Sequence, residues 1–261
     1  MAIRLFVEER LEENRVLELG PGQTHYLSHV MRLAPGDRLR LFNGLDGEWE
    51  GRIEALAKKR TTVLLERRRC AQTKVPDLWL LFAPIKGGRI DTLVEKATEL
   101  GVALLKPVMT ERTVVRRVNL ERLRAQAIEA AEQTGRLCVP ELCAAEPLFK
   151  ALAGWPETRR LLLCDETGSG PPILEALREA KPTPSWALLT GPEGGFAKDE
   201  LDALRGLPFV TSASLGPRVL RADTAAIAAL TCWQAALGDW QSRPAFRAAD
   251  ATQGNLKMPR P

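Results

Sequence analysis

No uninterrupted apolar run in the 261-residue chain approaches the roughly 18 residues that a membrane-spanning helix requires. The first ten residues, Met-Ala-Ile-Arg-Leu-Phe-Val-Glu-Glu-Arg, hold too short an apolar stretch for a secretory signal and turn acidic at once. Histidine is scarce. His25 and His29 stand alone, and no Cys, Asp or Glu near them completes a ligand set, which argues against a metal centre. The cysteines, at 70, 138, 143, 164 and 232, are odd in number and irregular in spacing, so neither a disulfide framework nor a zinc ribbon fits. Free, mostly buried thiols are expected instead. A P-loop and a G-x-S-x-G elbow are also lacking, which removes two large classes of nucleotide and ester chemistry. A cytoplasmic globular protein is the expectation, because 45% hydrophobic and 27% charged residues suit a packed core.

What is present divides the chain in two. Residues 1–75 carry 14 Lys and Arg against 11 Asp and Glu, most of the net charge of +4. That excess suits a phosphate-facing module as well as a solvated basic face. Short alternating segments at 3–7, 15–19, 37–42, 48–53 and 61–65 predict strands, and residues 24–32 a short helix. Between two of these strands Asn43-Gly44-Leu45-Asp46-Gly47 predicts a hairpin turn, since Asn-Gly and Asp-Gly supply the positive φ it needs. Residues 1–73 therefore read as a small β-barrel, with a linker at Lys74-Val75-Pro76-Asp77.

From residue 78 strands alternate with helices, the signature of an α/β domain reaching to about residue 243. The continuous apolar run at 78–83 predicts a parallel strand buried on both faces, and 104–109, 160–164, 186–190 and 211–215 predict further strands. Helices are expected at 89–100, ended by Gly101; at 120–134, capped by Asn119 and closed by Gly135; and from about 223 to 240. Residues 244–261 read as a flexible tail.

Two strand ends carry unusual loops. The first runs Leu189-Thr190-Gly191-Pro192-Glu193-Gly194-Gly195-Phe196, and its glycines let backbone approach a ligand closely. The second, Leu215-Gly216-Pro217-Arg218-Val219-Leu220-Arg221-Ala222-Asp223-Thr224, brings two arginines to a helix start. Ligands of open α/β sheets bind outside the carboxyl ends of strands, where both loops lie. A third glycine segment, Leu19-Gly20-Pro21-Gly22, imitates a Rossmann loop but fails on context, because a hairpin follows it rather than a second parallel strand.

Together the two loops resemble the paired signature of the RsmE family, the 16S ribosomal RNA uridine-N3 methyltransferases that use S-adenosylmethionine (SAM). Lys86 with Glu95-Lys96-Ala97-Thr98-Glu99-Leu100-Gly101-Val102, Glu132-Gln133-Thr134-Gly135-Arg136 with Pro140, and Arg4-Leu5-Phe6-Val7, His25 and Val30-Met31-Arg32 also match its pattern. The resemblance implies a PUA-like barrel followed by a SPOUT-type parallel-sheet domain with a trefoil knot. It further implies a homodimer acting on 16S rRNA or the small ribosomal subunit. It places SAM on Leu189, Thr190, Gly191, Pro192, Glu193, Gly194, Gly195, Leu215, Gly216, Arg218, Val219, Leu220 and Thr224. One departure is visible: the family's R-T-E-T run reads Arg221-Ala222-Asp223-Thr224 here, which shortens a carboxylate still able to cap the helix. Arg221 is the candidate for stabilising negative charge on the base. Glu132 is the candidate for proton transfer, with an i,i+4 pair to Arg136 as its bland alternative. Arg4, His25, Arg32, Lys86 and Arg136 are the candidates for RNA contact. Another SPOUT RNA methyltransferase, acting on a ribose 2′-OH or a guanine, and a non-catalytic RNA-binding or ribosome-assembly factor remain open at this point.

Overall fold

The computed structural model describes residues 3–180 and 183–242. The expected tail, residues 244–261, lies outside the described residues. The chain forms two compact units. Unit 1 takes residues up to Lys74 together with Ala131–Cys138, and unit 2 takes Val75–Ala130 and Val139–Ser242.

Unit 1 is a five-stranded sheet built from β1 (Arg4–Phe6), β2 (Val16–Leu19), β3 (Arg38–Phe42), β4 (Glu48–Leu56) and β5 (Thr61–Cys70) in the order β1-β3-β4-β5-β2. All neighbours are antiparallel except β1 and β3. Three register shifts between β4 and β5 bend the sheet around its own core of Leu5, Leu17, Leu27, Leu39, Leu41, Ile53, Val63 and Leu65. The β3–β4 turn is the one the Asn-Gly and Asp-Gly pairs demand. Gly44 and Gly47 both have φ of 84°, and Asn43 Oδ1 accepts the N–H groups of Leu45 and Asp46.

The expected helix at 24–32 starts earlier and is less regular. Helix α1 (Pro21–His25) opens with Gly20 as its cap and Pro21 in the first turn, where a fixed φ and a missing N–H cost nothing. Residues 26–30 then wind more widely, with Met31 N–H reaching Tyr26 C=O, and the turn stops at Arg32, φ 55°. The glycines at 20 and 22 thus open a short helix beside a strand, β2, that pairs antiparallel with β5. No βαβ unit exists there.

Unit 2 is a parallel sheet. Its strands are β6 (Asp77–Phe82), β7 (Leu104–Met109), β8 (Glu141–Leu142), β9 (Glu146–Pro147), β10 (Arg159–Cys164), β11 (Ser185–Thr190) and β12 (Val210–Ala213). The order is β12-β10-β11-β6-β7-β8, with β9 also on β7. The short β8 and β9 were not anticipated, because two-residue strands carry no periodicity. Alternate residues of the long strands face two cores. Leu78, Leu80, Phe82, Leu162 and Leu188 pack with Ile90, Leu93, Val94 and Ala97 of α2 (Arg89–Glu99) and with Ala226, Leu230 and Trp233 of α7 (Ala222–Leu237). On the other face Leu81, Leu161, Leu163 and Leu189 pack with Leu148 and Leu152 of α4 (Leu148–Leu152) and with Leu201 and Leu204 of α6 (Lys198–Arg205).

Helix α3 (Leu120–Thr134) has the predicted cap, Asn119 Oδ1 accepting Arg122 N–H at 3.0 Å. The remaining helix, α5 (Ile173–Glu179), is only seven residues long. At the amino ends of the strands Arg159 is held by Asp77 through two hydrogen bonds of 2.7 and 2.8 Å. Its guanidinium lies 3.5 Å over the Trp79 ring, tying β6 to β10.

Candidate cofactor site at the carboxyl ends of the strands

Parallel strands send all their following loops to one end of the sheet. The loops after β10, β11 and β12 are therefore neighbours, although about 25 residues of chain separate each from the next. β10 lies between β11 and β12, so the segment 165–170 sits between the two glycine-bearing loops. Sequence reading passed over that segment. Its signal was present: Asp165-Glu166-Thr167-Gly168-Ser169-Gly170 also follows a buried apolar strand.

The three loops enclose a cleft of about 340 Å³, lined by Arg89, Cys164, Glu166, Thr190, Gly191, Pro192, Glu193, Gly195, Val219, Leu220, Arg221, Ala222 and Ala225. A smaller recess shares Cys164, Glu166, Val219, Leu220 and Ala225 and adds Leu215, Gly216 and Arg218. Ten of the thirteen residues expected to hold a cofactor line one or both. Leu189 is buried in the core instead, Thr224 is exposed on α7, and Gly194 turns its carbonyl to Arg112. Arg221 lines the cleft as the cap residue of α7, with extended backbone at φ −65° and ψ 151°.

Asp223 lies in the first turn of α7, where its charge suits the helix dipole. It makes no capping bond, and its Oδ1 is buried without a partner among the described residues.

The 190–196 loop is pinned from several sides. Thr190 C=O accepts Ala83 N–H, and Glu193 Oε1 accepts Lys86 N–H at 3.0 Å. Arg112 donates to Gly194 C=O at 3.0 Å, and Glu166 Oε1 accepts Phe196 N–H at 2.7 Å. Gly195, at φ 68°, leans directly on that carboxylate, and any side chain there would collide with Glu166 Oε1. Glu200 closes the loop by accepting Ala197 N–H, the reach-back of a capping box.

Next to Glu166, Asp165 is buried and bound to Arg205 at 2.6 Å and to the Thr167 hydroxyl at 2.6 Å. Burial alone would push its carboxyl up, but these hydrogen bonds outweigh burial and hold it below the usual carboxylate range. Cys164 forms part of the floor, and burial pushes its thiol up to about 12, so it stays neutral and inert. All five cysteines are free, as expected, but only Cys164 is fully buried; the other four are half-buried.

The other expected residues fall in different places. His25 and Arg32 are exposed on unit 1, where the His25 ring stacks on His29 at 4.5 Å. Lys86 is exposed on unit 2 at the carboxyl end of β6. Arg4 requires a correction. It is 8% exposed, and its guanidinium is consumed by Glu48 (2.6 Å) and the carbonyls of Ala131, Glu132 and Arg136. It also packs 4.5 Å from the Phe42 ring centroid, so four of its five N–H donors are committed inside unit 1 and the guanidinium is buried rather than presented to a phosphate. Arg136 is half-buried, with Nε committed to Cys138 C=O at 2.7 Å. Glu132 Oε1 accepts Phe6 N–H at 2.9 Å. That gives its carboxylate a structural task in unit 1, and the cleft walls do not include it.

Residues 72–234 match the family described as RNA methyltransferase domain, and residues 19–66 the RNA methyltransferase PUA domain. The chain is 34% identical to ribosomal RNA small subunit methyltransferase E of Rickettsia conorii, over 87% of this chain and 93% of that one. A Neisseria gonorrhoeae ribosomal RNA small subunit methyltransferase E solved with SAM superposes with a TM-score of 0.82 at 27% identity, covering 92% of this chain and all of that one. A Legionella pneumophila structure in complex with SAM superposes at 0.80 with 33% identity, over 92% and 99% of the two chains. The parallel cleft-bearing sheet, the small β module before it and these likenesses agree: the chain belongs to the RNA methyltransferase family, in its ribosomal RNA small subunit methyltransferase E branch.

Proposed function

We propose that this protein methylates N3 of a uridine in 16S ribosomal RNA, with SAM held in the cleft at the ends of β10, β11 and β12. The observation that carries the reading is the convergence of three loops, distant in sequence, on one cleft. Its size falls within the range of small-molecule sites, and its walls mix apolar side chains with backbone and a few charged groups. SAM is itself such a mixture of a flat aromatic base, polar ribose and charged amino acid. When bound, it would supply an electrophilic methyl on a sulfonium.

The residues of the chain then have two tasks. The first is alignment. The 190–195 backbone, Leu215, Gly216, Arg218, Val219 and Leu220 fix the donor so that the acceptor nitrogen meets it in line. Leu189, buried in the core beneath the loop, supports these walls from behind. The second is charge. Uridine N3 must lose its proton to attack, and Arg221, at the cleft wall, faces the negative charge that develops on the base.

The module of residues 1–73, through His25 and Arg32, and Lys86 on the catalytic domain of residues 74–243, hold the RNA backbone. Such contacts position the strand without reading its sequence. The target uridine must be unstacked to enter the cleft. Family membership supports a homodimer in the cytoplasm, a knotted arrangement of the three loops, and rRNA or the small subunit as the partner. No helix among the described residues is long and apolar enough to cross a membrane.

The decisive experiment is reverse transcription on small-subunit rRNA from cells lacking this protein. N3 methylation blocks the pairing edge and stops the polymerase, so the stop should vanish in the mutant. A stop that persists unchanged would overturn the substrate assignment.

Glu166 acts as a positioning residue for the cofactor loop, since its carboxylate holds Phe196 N–H and abuts Gly195. Glu166→Ala should raise the Kd for SAM at least tenfold with a small change in melting temperature. Glu166→Gln, whose amide oxygen can still accept that N–H, should recover most of the loss. Isothermal titration of both variants checks this, and equal Kd values for Ala and wild type would remove the role.

A further inference from the structure

We propose that the connection between β7 and α3, residues 110–119, is a phosphate-binding strap through which the catalytic domain itself grips the RNA beside the target base. The proposal rests on the RNA substrate assigned above and adds residues that neither the loops nor the barrel supplied.

The strap is built, not loose. Thr110 and Thr113 are buried, their hydroxyls lie 2.8 Å apart, and Thr110 N–H donates to Thr113 Oγ1. Glu111 N–H donates to Glu200 Oε1 at 2.8 Å, and Arg112 reaches across to Gly194 C=O. One end of the strap is therefore fastened to the cofactor loop and its following helix, and the other end to the Asn119 cap of α3.

The strap also emerges at the correct end of the sheet. All strands of unit 2 are parallel, so the loop after β7 leaves the same sheet end as the loops around the cleft. In the order β11-β6-β7 it stands two strand spacings from the 190–196 loop, about 10 Å. That offset suits a phosphate flanking the base rather than the base itself.

Its exposed side chains carry the chemistry. Arg116 and Arg117 are exposed and make no ion pair or side-chain hydrogen bond among the described residues. By contrast, Arg122, a few residues on, is locked to Asp91 at 2.7 Å. Glu111 is the one carboxylate in the strap. The strap has no aromatic side chain on which a base would stack, and Val114 is its exposed apolar residue. Unpaired guanidinium forks without a stacking platform favour phosphate, which they bind bidentately.

The test compares wild type with Arg116→Gln/Arg117→Gln, as full chains, using small-subunit rRNA as substrate. The Kd and KM for RNA should rise at least tenfold near 0.15 M salt, with kcat at saturating RNA within about twofold and the Kd for SAM unchanged. The slope of log Kd against log salt should become shallower by about 1.4, at about 0.7 for each single-strand phosphate no longer neutralised. Arg116→Lys/Arg117→Lys should keep most of the slope, because the charge remains. The single Gln variants, each showing about half of that change in slope, guard against a folding defect in the double variant, and the melting temperature reports one directly. An active wild type whose double variant shows the same RNA Kd and the same salt slope overturns the strap alone. A wild type that neither binds SAM nor methylates rRNA overturns the functional assignment, and the strap with it.

Discussion

Arg221→Ala is expected to lower kcat for methyl transfer by two to three orders of magnitude while changing the Kd for SAM by no more than a few-fold. Placement is the first reason. Arg221 is the residue at which the 215–221 loop becomes helix α7, so its side chain leaves the backbone at the cleft wall beside the free N–H groups of a helix start. Loss of the N3 proton spreads negative charge over the two carbonyl oxygens of uracil. A fixed cation there stabilises the transition state more than the neutral ground state, and donors of this kind are worth about 2.7–4 kcal/mol in kcat. Arg221→Lys keeps the charge but loses the planar fork, so it should fall between Ala and wild type. Single-turnover kinetics with saturating SAM and RNA separate the chemical step from binding. If the Ala variant instead loses SAM affinity and keeps its rate, Arg221 is part of the cofactor grip and the charge role falls.

Arg4→Met should destabilise the protein by about 3–5 kcal/mol, the range for breaking a buried pair by removing one partner. Both side chains of the Arg4–Glu48 pair are nearly inaccessible, at 6% and 5% exposed. Removing the guanidinium leaves the Glu48 carboxylate with Arg40 at 3.6 Å as its remaining cation, and it strips hydrogen bonds from the carbonyls of residues 131, 132 and 136. The face of Phe42 loses its cation as well. For a chain of this size the melting temperature should drop by about 10 °C, at about 2–4 °C for each kcal/mol. RNA affinity per folded molecule should not change. A variant that melts like wild type but binds RNA weakly would restore Arg4 to the RNA surface.

Glu132 and Arg136, both half-buried, show the same difficulty of reading a polar residue's partners from the chain. In the sequence all three residues look like polar members of matched segments, and Arg4 sits in a short apolar strand beside Leu5 and Phe6. The hydrogen bonds that bury it join positions more than 120 residues apart. No local pattern reports a partner at that distance. Glu132 is similar. An i,i+4 pair on a solvated face was one expectation and proton transfer another, yet its Oε1 ends on the N–H of Phe6.

Where the physics is local, the residues spoke for themselves. Strand β6 was visible as a continuous apolar run, because a core covers it on each face. The Asn43–Gly47 turn and the Asn119 cap were legible for the same reason, since a positive φ or an orphan N–H is satisfied by its immediate neighbours. The two glycine-bearing loops were legible as candidate cleft walls because they follow strand ends.

The sequence by itself determined the longer strand and helix elements, a β-rich part ahead of an α/β part, and two of the three cleft walls. Only the tertiary structure decided that β10 lies between β11 and β12. That order brings Asp165 and Glu166 to the 190–196 loop, and it follows from non-local strand pairing, whose hydrogen bonds look alike in every order and leave no mark on the chain. Burial worked in the same way. Whether an arginine faces a phosphate or a carboxylate depends on what the rest of the fold brings to it, and here the fold spent Arg4 on its own core while leaving Arg116 and Arg117 exposed.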